Sequence, residues 1–327
     1  MNNKVSIIIP CYNVAPFVDR CLESILDQTC GTKDLEIILV DDASTDDTLS
    51  HLEKFESAHP EQTILIKLER NSKQGAARNI GIKYSTGRYI TFVDADDIIY
   101  PRMIESLVKS MEEYDCDIVE CGFDSFTDKR NDAPDSAGGS RFYDLSDPDN
   151  RREIIFKFFR TAVWGRLYRA DFIKNNDIVF PENSFYEDNY FSGLCMILAQ
   201  KYCVVDEILY SYYLNEKGTM HSAYDPEKTK QEIPVMDMYL KELEKRGIYD
   251  DVMKNNGEEL EYFAVWKSYL DPLRMMLNSG STSEEIFAEA NYYAKYVRSV
   301  FPDAAKNKYL MSEDRFISFA RDLLLMV

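Results

Sequence analysis

Three short polar segments with chemically active side chains each follow an apolar run of the sequence. The first is Pro10-Cys11-Tyr12-Asn13, the second is Asp41-Asp42, and the third is Asp94-Ala95-Asp96-Asp97. Each apolar run predicts a buried strand. In an open parallel sheet, ligands bind beyond the carboxyl ends of the strands. The three segments are therefore predicted to meet at one edge of a sheet and to form a binding site there.

The third segment places three carboxylates within four residues, Asp94, Asp96 and Asp97. Unpaired carboxylates this close repel one another, and a hard divalent cation relieves the repulsion. Mg²⁺ and Mn²⁺ prefer oxygen ligands, and Mg²⁺ is usually held by one or two carboxylates together with substrate phosphates. The cluster indicates either a cation site or the N-terminal cap of the helix that Pro101 helps to start.

Asp41 and Asp42 allow a similar pair of interpretations. One of them could cap the helix that follows, although Ser44 and Thr45 are better placed, which leaves at least one carboxylate unexplained. A free carboxylate there can accept hydrogen bonds from a ribose hydroxyl or a base N–H. Tyr12 offers a flat ring on which a base could stack, the alternative being a partly buried core tyrosine.

The stretch 71–79, NSKQGAARN, is a cationic element in an acidic chain, with Lys73 and Arg78 near Gly75 on the approach to a helix. Cations at such a position suit a pyrophosphate or a base edge. The stretch lacks the spacing of a Walker phosphate-binding loop, and the chain has no GxGxxG motif.

Further along, Glu187 and Asp188 lie among aromatic residues just before an apolar helix. An apolar setting raises the pKa of a carboxyl, which suits a general base. Taken alone, the pair more often marks the start of a helix.

Two further sets of residues allow a functional and a structural interpretation. Trp164 and Arg166 belong to an aromatic and cationic cluster, VWGRLY, whose rings could face a sugar or fill a core. His221 follows Gly218-Thr219-Met220 in a predicted loop, where a lone histidine is more often a surface residue than a ligand.

The elements that must position these side chains alternate between strand and helix over the first 121 residues. This alternation, with short loops and continuously apolar strands, predicts an α/β fold whose mainly parallel sheet is covered by helices on both faces. The polar stretch 127–140 predicts an exposed loop, residues 151–213 mix both kinds of element, and the chain is helical from about 225. The predicted strands are 5–9, 35–40, 64–66, 89–93, 117–121 and 202–213.

The composition limits which binding partners and which cellular compartment are expected. The 327 residues carry a net charge of −19, which argues against nucleic acid and anionic lipid as bulk partners. No apolar run approaches the roughly 20 residues that span a bilayer, and the N-terminus lacks the pattern of a signal peptide. Seven cysteines without metal-type spacing are typical of reduced thiols, so a cytoplasmic location is predicted.

Taken together and in this order, the segments resemble family 2 glycosyltransferases, which use nucleotide sugars and have the GT-A fold. The resemblance is strong over residues 4–100 and weaker to about 215. It is carried by four stretches, VSIIIPCYNVAPFVDRCLESILDQT, EIILVDDASTDDT, NSKQGAARNIGIKYSTGRYITFVDADD, and WGRLYR followed by FYEDNYF. It implies a glycosyltransferase domain over 1–220, with halves 1–125 and 126–220, and a helical domain over 221–327.

The resemblance also implies roles for individual residues. Pro10, Tyr12, Asn13 and Asp42 would hold the nucleoside with support from Asp41, and Lys73 or Arg78 would approach the uracil or the diphosphate. Asp94, Ala95 and Asp96 match the DxD motif, with Asp96 as the metal ligand and His221 as a weaker match for a second. Asp188 matches the catalytic base. Trp164, Arg166 and Glu187 would lie on the acceptor side, where the chain has Gly165-Arg166 in place of the Asn-Lys of many relatives.

What the resemblance implies for function is an inverting transfer of a hexose or N-acetylhexosamine. The donor would be a UDP-sugar with Mn²⁺ or Mg²⁺, and the acceptor a hydroxyl of a glycan, lipid-linked glycan or glycoprotein in bacterial surface polysaccharide or glycoconjugate synthesis. A peripheral contact with the inner face of the membrane and a homodimer through the C-terminal helices would be compatible with it.

Three rival functions share parts of this pattern. A haloacid-dehalogenase-like phosphotransferase would use Asp94 as nucleophile, but its DxD normally follows the first strand of the domain rather than the fourth. A nucleotidyltransferase would carry a glycine-rich basic loop after the first strand, and 10–14 contain no glycine. A non-catalytic scaffold would not be expected to keep Asp42, Asp94, Asp96 and Asp188 together.

Overall fold

The computed structural model of the chain describes residues 5–127, 138–157, 160–215 and 225–326. Strands and helices alternate up to residue 114, as predicted, except that the two-residue strand 98–99 follows 89–92 with no helix between them, and the described region from 225 onward is helical. The strands are β1 (Val5–Cys11), β2 (Leu35–Asp41), β3 (Thr63–Lys67), β4 (Tyr89–Phe92), β5 (Ile98–Ile99), β6 (Ile118–Phe126), β7 (Ser140–Asp144), β8 (Arg166–Arg169) and β9 (Lys201–Tyr213).

These nine strands of the described chain form one mixed sheet in the order β3-β2-β1-β4-β8-β6-β9-β5, with β7 paired to β9. Strands β1 to β4 are parallel, as predicted. The rest of the sheet departs from the mainly parallel prediction, because β8 runs antiparallel to both β4 and β6, and β5 and β7 run antiparallel to β9. The short elements β5, β7 and β8 carry no apolar run long enough to reveal them in the sequence.

The strands β1, β2 and β4 are buried on both faces, which explains why they are almost entirely apolar. Every residue of β1 and of β2 is buried. A Cβ added at Gly81 would lie 2.3 Å from Ile8 Cγ2, so the missing side chain lets a helix approach β1 closely. The helices that accompany the sheet are α1 (Val18–Leu26), α2 (Thr48–Ala58), α3 (Lys73–Tyr84), α4 (Met103–Tyr114) and α6 (Ala170–Asn175).

A second set of helices forms its own buried core. In this set Tyr239 packs so closely on helix α7 (Glu187–Leu198) that a Cβ at Gly193 would lie 2.8 Å from its ring. A five-residue π-helical stretch, Trp266–Leu270, joins α10 (Tyr249–Val265) to α11 (Asp271–Asn278). The helices are α5 (Pro148–Lys157), α7 (Glu187–Leu198), α8 (Pro226–Thr229), α9 (Glu232–Lys245), α10 (Tyr249–Val265), α11 (Asp271–Asn278), α12 (Ser283–Val300) and α13 (Arg315–Met326), with a 3₁₀ turn at Ala304–Lys306.

The chain forms two compact units that alternate along the sequence. The sheet unit comprises Met1–Ser146, Ala162–Asn183 and Leu198–Gly218, and the helical unit comprises Asp147–Thr161, Ser184–Ile197 and Thr219–Val327. The helical unit thus includes α5 and most of α7, two stretches that come before residue 220. The domain boundary at 220 stays a prediction.

Most of the predicted loop 127–140 lies outside the described residues, but its last residue, Ser140, begins β7. The stretch Ile154-Ile155-Phe156 is part of helix α5. In the described part of the chain, no helix combines the length and the apolar character needed to cross a membrane.

Candidate functional site

The ends of β1 and β2 lie side by side, so the first two predicted segments meet. Cys11 is the register partner of Asp41, and the Asp42 N–H donates to the Cys11 carbonyl at 2.8 Å. The Asn13 side-chain carbonyl accepts from the Thr45 N–H at 2.8 Å. These bonds fix the two strand-end loops to each other.

Both carboxylates at the end of β2 are buried, and neither caps the next helix. Asp42 Oδ1 accepts from the Ser72 N–H at 2.7 Å, while Asp41 Oδ1 has no hydrogen-bond partner among the described residues. Helix α2 is preceded instead by Asp47, and Asp46 accepts from the backbone of its first turn. Burial raises the pKa of Asp42 above its ordinary value. The capping interpretation of Asp41 and Asp42 is therefore wrong.

Tyr12, in the loop after β1, is 43% exposed, so the alternative of a partly buried core tyrosine is wrong. Pro10, two residues earlier, is a buried residue of β1. The exposed ring of Tyr12 at the carboxyl end of a strand can stack on a planar ligand.

The two cations of the 71–79 stretch have different surroundings. Arg78 is buried, and its guanidinium donates to Asp94 Oδ1 at 2.8 Å and to Gln74 Oε1 at 3.1 Å. Lys73 begins α3 with φ +66°, and its Nζ donates to the Asn183 carbonyl at 3.3 Å. In the structure Arg78 is thus a partner of Asp94, whereas the prediction was that Lys73 or Arg78 approaches the nucleotide.

Asp97 anchors the third segment inside the sheet unit. It is fully buried, and it accepts from the Tyr210 hydroxyl at 2.5 Å and from the Tyr213 N–H at 2.7 Å. Burial, with the Asp94 and Asp96 charges adding to it, raises the pKa of Asp97 well above its ordinary value. Helix α4 begins at Met103 without a side-chain cap, so the capping interpretation of this segment is also wrong.

Asp96 is the carboxylate of this segment that best suits a cation. It is partly buried, and burial together with the neighbouring Asp94 charge raises the pKa of Asp96 to about 6. A divalent cation would remove this penalty by pairing with the charged form. Within the described ranges no group of three His, Cys, Asp or Glu side chains is arranged to hold a metal. The single carboxylate of Asp96 would suffice for Mg²⁺ only together with phosphate oxygens, which commonly complete the ligand shell of this ion.

Arg20 supports the same segment and was not predicted. Its guanidinium donates to the Asp96 carbonyl at 2.8 Å and lies 4.0 Å from the centre of the Tyr213 ring. The Phe17 and Phe126 rings flank it at 5.1 and 5.0 Å. Since Tyr213 and Phe126 are more than a hundred residues away in sequence, no local pattern reveals this cation–π cluster.

Trp164 and Arg166 belong to the interior of the sheet unit. The Trp164 ring stacks on Tyr210 with centroids 4.4 Å apart and an interplanar angle of 10°. Arg166 has no exposed surface, and its Nε donates to Glu120 Oε2 at 2.7 Å. The structure does not bring Arg166 to a surface that an acceptor can reach, because its charge is needed to neutralise the buried Glu120.

Asp188 lies in the first turn of α7, within the helical unit. Thr161 Oγ1 is 2.8 Å from Asn189 Oδ1 and 3.3 Å from Asp188 Oδ2, so its hydroxyl links the two side chains. Glu187 is buried beside it. The helix-start interpretation of Glu187 and Asp188 is confirmed, and a partly buried carboxylate held by one hydroxyl also fits a general base. His221 lies outside the described residues.

Comparison with known proteins agrees with this arrangement. The chain is 34% identical over 227 residues to the uncharacterized glycosyltransferase EpsJ of Bacillus subtilis, which covers 68% of this chain and 64% of EpsJ. It is 29% identical over 224 residues to the poly(ribitol-phosphate) beta-N-acetylglucosaminyltransferase TarS of Staphylococcus aureus, covering 68% of this chain and 37% of TarS. Each match spans less than two thirds of the relative's own length.

The fold is also that of a solved structure. The crystal structure of S. aureus TarS in complex with UDP-GlcNAc superposes with a TM-score of 0.74 at 22% identity, covering 99% of this chain and 88% of that one. The α/β architecture with a helical C-terminal region is thereby confirmed. The profile of glycosyl transferase family 2 matches residues 6–175, about half of the chain. The chain therefore belongs to glycosyl transferase family 2.

Proposed function

We propose that this protein is an inverting glycosyltransferase that moves a hexose or N-acetylhexosamine from a UDP-sugar to a hydroxyl of a glycan, lipid-linked glycan or glycoprotein. The observation that carries the proposal is the meeting of strand-end carboxylates in the sheet unit. Asp41 is buried at the end of β2 with an oxygen that lacks a partner among the described residues. Asp96 follows β4, which flanks β1 on the side opposite to β2 and runs parallel to both strands. Such acids at the carboxyl edge of a sheet suit a nucleoside diphosphate and its cation.

On the donor side, the residues at the ends of β1 and β2 would bind the nucleoside. The exposed Tyr12 ring would stack on the base, and Pro10 and Asn13 would shape the loop that carries it. Asp41 Oδ1 would accept a hydrogen bond from a ribose hydroxyl or a base N–H, and this bond would remove the cost of an unpaired buried oxygen. UDP is the favoured nucleotide because TarS, which has the same fold, was solved with UDP-GlcNAc.

At the diphosphate, Asp96 would hold Mn²⁺ or Mg²⁺ together with phosphate oxygens, while Arg78 keeps Asp94 in its place. When bound, the cation would neutralise the charge that builds up on the leaving diphosphate. Lys73, at the start of α3, is the further cation of this side and would approach the diphosphate or the uracil.

On the acceptor side, Asp188 would act as the general base. Its carboxylate would take the proton from an acceptor hydroxyl as that oxygen attacks the anomeric carbon. The bond between the anomeric carbon and the diphosphate oxygen breaks in the same step, and UDP leaves with the electron pair. Attack opposite to the leaving group turns an α-linked donor into a β-glycoside.

The acceptor is proposed to be a polymer or lipid-linked glycan with free hydroxyls. TarS is named for poly(ribitol phosphate) as its substrate, so this polymer is a reasonable first acceptor to test. A role in bacterial surface polysaccharide or glycoconjugate synthesis, a cytoplasmic location, a peripheral membrane contact and a homodimer through the C-terminal helices belong to the same proposal. The rival use of Asp94 as a phosphotransfer nucleophile is disfavoured, because Arg78 occupies its Oδ1.

UDP release tests the proposal. The purified chain is incubated with UDP-GlcNAc, UDP-glucose or UDP-galactose and Mn²⁺, with and without poly(ribitol phosphate) or extracted lipid-linked glycans. We expect UDP release that requires Mn²⁺ or Mg²⁺ and rises with one acceptor class. Absence of UDP release from every donor and acceptor, in protein that is folded by circular dichroism, would contradict it.

A further inference from the structure

The segment that carries Asp188 is tied to the start of the C-terminal helices. The Phe185 N–H donates to Gln231 Oε1 at 3.2 Å, across 46 residues of sequence. The Lys228 ammonium lies 5.0 Å from the centre of the Phe185 ring, within the range of a cation–π contact. The position of residues 184–189 therefore depends on side chains just before α9.

The backbone of this segment does not follow local preference. Tyr186 has φ +62°, a left-handed conformation that bulky side chains rarely adopt. Its carbonyl accepts from the Asn189 N–H at 3.0 Å, which forms the turn that presents Asp188. A residue stays in such a conformation when its surroundings impose it, and strained residues of this kind are frequent at functional sites. The contacts made by Gln231 and Lys228 are among those surroundings.

A buried charged cluster lies beside the same turn. Glu232, the first residue of α9, is 3% exposed, and its Oε2 has no hydrogen-bond partner in the described part of the chain. Burial raises the pKa of Glu232 well above its ordinary value, with the charges of Asp271 and Asp188 adding to the effect and that of Lys267 opposing it. Unsatisfied buried carboxyl oxygens are rare in native proteins and frequently have a functional reason.

The π-helical stretch supplies the cation of this cluster. Lys267 lies within it, is almost fully buried, and pairs with Asp271 at 3.2 Å. Single π-helical turns inside longer helices are frequent at functional sites. Helices from the C-terminal part of the chain thus bring Glu232, Lys267 and Asp271 next to the turn that holds Asp188.

From this geometry we propose that Gln231 is a positioning residue for Asp188. Its side-chain carbonyl fixes the backbone three residues before the carboxylate, and so holds Asp188 where an acceptor hydroxyl can meet it. The inference rests on the proposed function, because it takes Asp188 as the general base. It gives the C-terminal helices a defined task, since their first residues complete the acceptor side of the enzyme.

The test compares Gln231→Leu, which removes the acceptor of the Phe185 N–H, with Gln231→Glu, which keeps an oxygen at that position. With UDP-GlcNAc and Mn²⁺ as the probe, UDP release is measured in the presence of the acceptor that gives the highest wild-type rate. Because a misplacement of about 1 Å can cost about a hundredfold in rate, Gln231→Leu is expected to lower kcat by about 10- to 100-fold while the KM for UDP-GlcNAc stays unchanged. Gln231→Glu should restore most of kcat.

A matched control separates positioning from folding. Asn255→Leu removes another side-chain amide of the helical unit, one that donates to Asp251 within α10, and it should leave kcat unchanged. Hydrogen exchange followed by mass spectrometry gives a readout that does not depend on turnover. Peptides covering 184–189 should exchange faster in Gln231→Leu than in wild type, Gln231→Glu or Asn255→Leu.

The failures of the two ideas can be told apart. Wild-type UDP release with an unchanged kcat in Gln231→Leu would overturn this inference alone, and so would unchanged exchange over 184–189. Wild-type protein that releases no UDP would overturn the proposed function and this inference with it.

Discussion

The two units of the molecule hold their candidate residues in different ways. In the sheet unit, Asp94 and Glu120 pair with the buried arginines Arg78 and Arg166, while Asp41 at the end of β2 is buried with one oxygen that has no partner among the described residues. In the helical unit, Glu232 is buried with one oxygen that has no partner among the described residues. Another buried acid of the helical unit, Glu259, forms a salt bridge with Arg152.

The difference shows how each unit positions its own candidate residues. In the sheet unit, the strand topology positions the candidate residues, because the parallel strands place Asp41 and Asp96 at one edge of the sheet. The buried arginines only hold the acids with which they pair. In the helical unit, the candidate base depends on side-chain contacts between segments far apart in sequence, such as Phe185 with Gln231. The sheet unit should therefore govern donor binding, and the helical unit should govern transfer.

Replacing the candidate base should give the largest effect and the clearest separation of the two units. Asp188→Asn keeps the size of the side chain but cannot accept the acceptor proton, so UDP release with acceptor should fall by about 10²- to 10⁴-fold. Donor affinity should be unchanged. Asp149→Asn, an exposed acid of the same unit, is the control. An equal loss of donor affinity in Asp188→Asn would mean that the two units do not divide the work.

Breaking the buried pair of the sheet unit should affect stability rather than recognition. Arg166→Ala leaves Glu120 buried without its cation, and removal of one partner of a buried pair costs about 3–5 kcal/mol in the free energy of unfolding. Arg141→Ala, which breaks an exposed pair with Asp206, should cost about 1 kcal/mol or less. Chemical denaturation measures both. A stable Arg166→Ala protein with a raised KM for the acceptor would restore the acceptor role that the sequence suggested.

Removing the candidate metal ligand should weaken the donor side. Asp96→Ala should lower the affinity for Mn²⁺ in the presence of UDP by at least the 10- to 100-fold that loss of an outer-shell partner typically costs. Asp206→Ala, an exposed acid on β9, serves as the control. Calorimetric titration of UDP with and without Mn²⁺ measures the change. If Asp96→Ala and wild type show the same Mn²⁺ dependence of UDP binding, residues other than Asp96 must bind the cation.

The smallest predicted effect is a pH dependence of stability in the helical unit. The pKa of Glu232 is raised well above its ordinary value of 4.5, so the folded chain keeps a proton that the unfolded chain releases. The free energy of unfolding contributed by this group therefore falls as the pH rises from about 4.5 through the raised pKa. The side chain introduced by Glu232→Gln cannot titrate. The melting temperature of this variant should therefore rise relative to that of wild type as the pH is raised from 4.5 to 8. A difference that is constant with pH would contradict the assignment.

The parts of the fold that followed from sequence were those with a local cause. Strands β1, β2 and β4 are continuous apolar runs because both faces of the parallel sheet are covered. The short strands β5, β7 and β8 have no such run, and they exist because longer neighbours offer a backbone edge to pair with. The antiparallel pairing in this half of the sheet could not be predicted for this reason, although its long strands β6 and β9 were predicted, at 117–121 and 202–213.

The residues of the candidate site also divide into those that the sequence could predict and those that it could not. Asp41, Asp42, Asp94 and Asp96 could be placed from their positions at strand ends. The burial of Arg166 could not, since a cation in a polar and aromatic stretch gives no sign of Glu120, 46 residues away. Arg20 and Gln231 were missed because their partners, Tyr213 and Phe185, lie far along the chain. Tertiary contacts of polar side chains leave no periodic pattern in a sequence.

Nucleotide binding tests the central claim most directly. The thermal stability of the wild-type chain is measured with UDP, GDP, CMP and dTDP and their common sugar conjugates, each with and without Mn²⁺. A ligand that binds the folded state alone must raise the melting temperature. The account predicts a rise with UDP and with UDP-sugars that is larger with Mn²⁺ and is lost in Asp96→Ala. No shift with any nucleotide at concentrations well above micromolar would contradict it.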